Sequence, residues 1–231
     1  MTTQDNSVPA NGLRTSALYY EDLAGKVVLL TFFLWLLSKS LSAITGLLMQ
    51  PAHDLTWYLG LISHTTSLAF VGLVVGLTVT RKAPVDVAAG FEARISSFFG
   101  TFILLSLIAV PRAQVGEVQA LIATILIIVG TVSSIWCLWW LGRAFSVMAT
   151  ARDLVIAGPY AHVRHPLYTA EAITVVGVIL FNGSLGAVLV GGIQFFFQYR
   201  RILNEEKVLG RAFEGYADYK ATTPMILPRL F

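Results

Sequence analysis

Long apolar runs, too many for a water-soluble core to hide, set what this chain can become. They fall at about 23–49, 55–79, 95–110, 118–141 and 169–199 of its 231 residues. A bilayer core of about 30 Å takes about 20 apolar residues per helix, within a range of about 17–25. In hydrocarbon each backbone N–H and C=O must be paired within the structure, so runs of this length become helices. Composition agrees, with 56% hydrophobic and 13% charged residues and a mean hydropathy of +0.72. A soluble domain has about 45–50% apolar and about 25% charged residues.

The run at 95–110 is short. The run at 169–199 is too long for one span, and Asn182-Gly183-Ser184 interrupts it with a turn signal. The reading is an all-α, polytopic membrane bundle of five to six transmembrane helices, with a C-terminal helical hairpin and a cytosolic C-terminal helix. Three regions follow: a polar N-terminal tail at 1–22, N-terminal transmembrane helices at 23–141, and a polar-rimmed core at 142–231. The tail has no apolar signal-peptide core and reads as disordered or interfacial. Segment 83–94 is too short and polar to span and reads as an interfacial loop. Cys137 is the sole cysteine, so no internal disulfide can form.

Positive charge orients the bundle. With six spans, Arg14, Lys26, Arg81, Lys82, Arg94, Arg143, Arg152, Arg164 and the six basic residues from Arg200 to Arg229 share one side, opposite Arg112 alone. Both termini and the polar loop at 142–168 are therefore expected in the cytosol. Lys39 falls inside the first span. With Ser38, Ser40 and Ser42 it is expected to mark a polar interface between helices, since intramembrane cations usually face the bundle interior.

Two polar segments stand out. The first, residues 152–168, holds Arg152, Asp153, Gly158-Pro159-Tyr160, His162 and Arg164-His165-Pro166-Leu167-Tyr168. Gly158-Pro159 dictates a turn, and Pro166 suits the first turn of a helix whose free N–H groups favour an anion. The second begins at Arg200. Arg201 and Glu205 are four apart and share a helix face, while Glu206 points about 100° away. Phe213, Tyr216 and Tyr219 recur at helical spacing and predict an amphipathic helix ended by Pro224 and Pro228. Taken singly, such residues are most often interface anchors or exposed ion pairs. His162 and His165 lack a third ligand at zinc spacing, so no metal is expected, and no nucleic-acid partner either.

Taken together, Arg164-His165-Pro166-x-Tyr168, the preceding Leu154-Val155 and Gly158-Pro159-Tyr160, and the later Glu205-Glu206 with Leu209, Phe213, Tyr216, Tyr219 and Pro224 resemble the isoprenylcysteine carboxyl methyltransferase and phospholipid methyltransferase superfamily over residues 142–231. The resemblance implies an S-adenosyl-L-methionine-dependent methyltransferase. Arg152, Asp153, Leu154, Val155, Tyr160, His165, Pro166, Leu167, Tyr168 and Glu205 would line the cofactor pocket. Arg201, with Glu205, would act toward the methyl acceptor. Arg164 would brace the loop, Glu206 would support the site, and Glu171, one turn past Tyr168, would face the cofactor cavity. The chain departs from the family pattern at Arg152 (often His), Ala170 (often Gly) and Thr222 (often basic), the last bearing on the acceptor. The implied partners are the bilayer and a lipophilic or prenylated acceptor, whose methylated group stays open among carboxylate, amine and thiol. The other readings are a membrane NADPH-dependent reductase of the sterol or steroid type and a non-enzymatic membrane protein of the same fold.

Overall fold

A computed structural model describes residues 10–51 and 54–228, with side chains from residue 23 onward. Arg14 and Arg229 thus lie outside the described side chains, as do residues 1–9 altogether. Four helical stretches are long and apolar enough to cross a bilayer: Leu23–Leu48, Leu55–Thr80, Phe91–Ala109 and Glu117–Ala144. Helix α1 runs over Ala10–Leu48, so it begins inside the segment expected to be a tail. Helix α2 is Leu55–Thr80, and its first turn is capped by the Asp54 carboxylate accepting from Trp57 N–H at 2.8 Å. The third span differs from the uniform helix expected. It is α-helical only over Phe91–Phe102 (α3) and tightens to a 3₁₀ helix at Ile103–Ala109. The greater rise of the 3₁₀ form lets a short run reach roughly 30 Å.

Helix α4, Glu117–Leu141, lies against α5, Pro166–Asn182. The two backbones approach through small residues. A Cβ on Gly130 would collide with Thr174 Oγ1, and one on Gly177 would sit 2.8 Å from the Ala123 carbonyl. Small residues at such seams are how helices pack closely in lipid. The hairpin predicted at Asn182-Gly183-Ser184 is present. Gly183 ends α5 at φ +70, in the left-handed region, and the Ser184 hydroxyl caps α6, Leu185–Ala212, by accepting from Ala187 N–H. The turn is pinned to the preceding loop by Ala113 N–H to the Asn182 carbonyl (3.0 Å) and by the Gln119 amide to the Leu180 carbonyl (2.9 Å).

The opposite end of the bundle collects the polar segments. Two-residue strands β1 (Asp86–Val87) and β2 (Thr150–Ala151) pair antiparallel. Arg143 Nε donates to the Thr80 carbonyl (2.7 Å), and the Arg152 guanidinium donates to the Lys82 carbonyl. Lys82 also pairs with Asp153. Residues 83–90 are therefore a strap on the 149–153 loop, while residues 91–94, expected to belong to the same interfacial loop, form the first turn of α3. The basic residues gather at this end, while Arg112 lies at the hairpin end, 5.7 Å from the Phe181 ring. Lys39 departs from its expected place. It is exposed on the outer surface of α1, 5.9 Å from the Trp35 ring. Of the neighbouring serines, Ser40 alone reaches an interior cavity.

Candidate active site

The site is built where α6 leaves the apolar layer. Gln194, Gln198, Arg201 and Glu205 follow at steps of four, three and four, which places them on one face of α6. Two cavities lie along that face. The polar one, about 90 Å³, lies among the 141–168 segment, α6 and the tail. The apolar one, about 450 Å³, lies within the helix bundle. Arg201 lines both.

Around the polar cavity, Glu205 receives the Tyr168 hydroxyl at 2.5 Å and pairs with Arg201 Nε at 3.4 Å. His165 Nδ1 lies 3.9 Å from Glu205, and its Nε2 lies 3.3 Å from Glu206. Arg201 also donates to the Ser146 carbonyl at 3.1 Å, and its guanidinium sits 5.2 Å from the Tyr168 ring centre, in cation–π range. Two stretches far apart in sequence thus meet at one cavity.

The loop that carries His165 is held from behind. Arg164 grips Glu206 through Nε (2.8 Å) and Nη2 (2.6 Å) and donates to the Lys220 and Thr223 carbonyls. Lys220 Nζ completes the cluster 2.8 Å from Glu206. Burial alone would raise the Glu206 carboxyl. Hydrogen bonds from His165, Lys220 and Arg164 outweigh it and hold the group well below the usual carboxylate range. Backbone pairing of Arg164 N–H with the Pro224 carbonyl (2.8 Å) and of His165 N–H with the Met225 carbonyl (3.0 Å) straps the tail across the start of α5. The Tyr219 hydroxyl, pushed up to about 12 by burial and by nearby Glu206 against Arg164, donates to the Tyr160 carbonyl at 2.6 Å. The turn below is steric: Gly158 has φ +61, and a Cβ there would fall inside the Trp140 ring's contact distance.

Of the residues expected at the cofactor, Asp153, Leu154, Val155, Tyr160, His165, Leu167, Tyr168 and Glu205 line the polar cavity, with Arg164 and Arg201. Arg152 and Pro166 do not: one is engaged with Lys82, and the other is buried as the first residue of α5. Glu206 stands behind the cavity as the anchor of the clamp. Glu171 is placed differently from expectation. It lines the apolar cavity, where Gln198 donates to it at 3.0 Å. Helix α7 covers only Tyr216–Thr222, because the backbone is extended at Phe213. Phe213 therefore lies outside the amphipathic helix it was expected to open.

Sequence reasoning misses Ser146, Thr150 and Lys220, which sit in unremarkable contexts. Gln194 and Gln198 carry a signal that could find them, as two amides four apart in an apolar run. Among the described residues, no group of three His, Cys, Asp or Glu side chains is placed to hold a metal ion.

The comparison with known families falls on the same part of the chain: residues 118–215 match the phospholipid methyltransferase family, one of the integral membrane methyltransferases. A nickel-cobalt-cadmium resistance protein, NccN, of Alcaligenes xylosoxydans xylosoxydans is 31% identical over 101 residues, 43% of this chain and 45% of the relative. A cobalt-zinc-cadmium resistance protein, CzcN, of Cupriavidus metallidurans is 31% identical over 102 residues, 43% of this chain and 44% of the relative. The match thus spans less than half the length of either relative.

Proposed function

We propose that the protein transfers a methyl group from S-adenosyl-L-methionine, held in the polar cavity, to a lipophilic acceptor in the apolar one, at the cytosolic face of the membrane. The observation that carries this reading is the shared wall: Arg201 lines both cavities and is paired with Glu205.

The donor set of the polar cavity suits the cofactor. It supplies a methyl group on a sulfonium, beside an ammonium, a carboxylate and a nucleoside. Glu205, with its oxygens at the cavity, offers a partner for a cation. Tyr160 and Ser146 line the cavity, and their buried hydroxyl oxygens have no hydrogen-bond partner among the described residues. Burial raises the Tyr160 hydroxyl far above its usual value, so it stays a neutral donor. Leu154, Val155 and Leu167 supply apolar wall. The enclosed space, about 90 Å³, is smaller than the ~300 Å³ of a small ligand pocket, so on this reading the cavity widens when the cofactor binds.

Methyl transfer is an in-line displacement, which asks the protein for alignment and exclusion of water. Burial of Arg201, Tyr168 and His165 around Glu205 provides both. The concentration of basic residues at this end of the bundle supports its placement in the cytosol. The metal resistance in the names of the two relatives describes those proteins and adds no ligand set to this one.

Calorimetric titration of the purified protein tests the reading. S-adenosyl-L-methionine binds the wild type, and Glu205→Gln weakens it by about 10-fold or more, the worth of one charge-assisted contact. Equal affinity in the two proteins, or saturable binding of NADPH instead, rejects it.

A further inference from the structure

The apolar chamber is walled by hydrocarbon, with a few hydroxyls, two amides, Glu171 and Arg201 set into it, the hydroxyls of Ser40 and Thr131 among them. The hydroxyls of Ser67, Thr101, Ser134 and Thr174 each donate to the carbonyl four residues back on their own helix, at 2.8, 2.8, 2.9 and 3.4 Å. Only their lone pairs remain for the chamber. Gln194 is 3% exposed, its amide donates to the Gly100 carbonyl at 2.6 Å, and its own carbonyl oxygen has no partner among the described residues. The Gln198 amide is engaged with Glu171. Among the described residues Arg201 is the single cation on this wall, and it is held by Glu205, the Ser146 carbonyl and the Tyr168 ring. A buried acceptor left unpaired costs about 1–3 kcal/mol, so a well-bound ligand brings hydrogen to these oxygens.

We propose that the chamber takes a neutral phenolic lipid and that Glu171 is the general base for methylation of its hydroxyl; the proposal rests on the reading of the neighbouring cavity as the methyl-donor site. A carboxylate acceptor meets the Glu171 carboxyl and the unpaired Gln194 carbonyl oxygen, and oxygens with no hydrogen between them repel in a low dielectric. A phospholipid headgroup brings a phosphate to a wall whose one cation is already engaged. A phenol carries the needed hydrogen, and it ionises near 10, as tyrosine does. Its flat ring matches the walls formed by Phe32, Phe33, Phe70 and Phe145.

In the step, the phenolic oxygen forms a bond to the methyl carbon as the carbon–sulfur bond breaks. The electron pair of that bond stays on sulfur, which becomes a neutral thioether. The phenolic proton passes to the Glu171 carboxylate, and Arg201, at the junction, stabilises charge developing on oxygen. Gln198 holds the carboxylate in place.

Binding is compared in lipid nanodiscs without donor, using dodecylphenol, dodecylbenzoate and dodecylamine as probes and tryptophan fluorescence as the signal. Dodecylphenol binds about 10-fold or more tightly than either other probe, and Gln194→Leu, checked for unchanged melting, removes most of that preference. With radiolabelled S-adenosyl-L-methionine added, Glu171→Gln lowers transfer to dodecylphenol by about 10²-fold or more while donor affinity stays within about twofold of the wild type by calorimetry. Benzoate or amine binding as tightly as the phenol overturns the proposal, as does full transfer by Glu171→Gln. Absence of donor binding to the wild type overturns the donor-site reading instead, and the donor-free preference among probes then decides which ligand class the chamber takes.

Discussion

Glu205 and Glu206 are neighbours in sequence with different work, because one helical step turns them about 100° apart. Glu205 faces the polar cavity with Tyr168 and Arg201. Glu206 faces the clamp of Arg164, His165 and Lys220. Breaking a buried pair from one side leaves an uncompensated charge, at a cost of about 3–5 kcal/mol. Glu206→Gln therefore lowers the melting temperature in detergent and loosens the tail. Its pH dependence has a definite sign. The folded carboxyl lies below its unfolded value of about 4.3, so its contribution is complete above that value and fades as pH falls through the lower folded value. The melting gap between wild type and Glu206→Gln stays constant from about pH 7 to pH 5 and narrows only below about pH 4. A gap that closes near neutral pH contradicts the clamp.

At the scale of elements, the hairpin is legible because Asn182-Gly183-Ser184 interrupts an overlong apolar run, and a positive φ at Gly183 is what that turn needs. The start of α5 is legible from Pro166, and the shared face of α6 from the spacing of Arg201 and Glu205. What is not legible depends on contacts between segments. Segment 83–94 gives no sign that it pairs with residues 150–151, because two-residue strands carry no period. Distance along the chain from Tyr168 points Glu171 to the cofactor cavity, yet its position on α5 turns it to the apolar chamber. The cost of a lone cation points Lys39 inward, but α1 is an outer helix with Lys39 on its exposed side. The α4–α5 seam yields a prediction at this scale. Gly130→Val forces side-chain atoms into Thr174 and the Ala170 carbonyl, and overpacking costs about 1–3 kcal/mol. Thermal unfolding checks it: the variant melts below the wild type, whereas valine at exposed Gly192, which meets nothing within 4 Å, changes melting little.

Across the whole molecule, the bundle holds an apolar chamber among its helices and a polar cavity at the end where the charged segments gather. Large apolar side chains such as Trp136, Trp139, Phe196 and Ile108 are exposed, as expected where the surroundings are lipid tails rather than water. In a Cys137→Ser background, a cysteine at Glu214 reacts with a membrane-impermeant maleimide only after the cells are opened, and one at Arg112 reacts in intact cells; the reverse pattern contradicts the orientation. The central claim is that a methyl donor and its acceptor meet at Arg201 from opposite sides. An experimental structure with the demethylated product, S-adenosylhomocysteine, tests it most directly. The account predicts density in the polar cavity, against Leu154, Tyr160 and Glu205, with the sulfur directed past Arg201 toward the chamber. Density elsewhere, or a closed wall of side chains between that sulfur and the chamber, contradicts it.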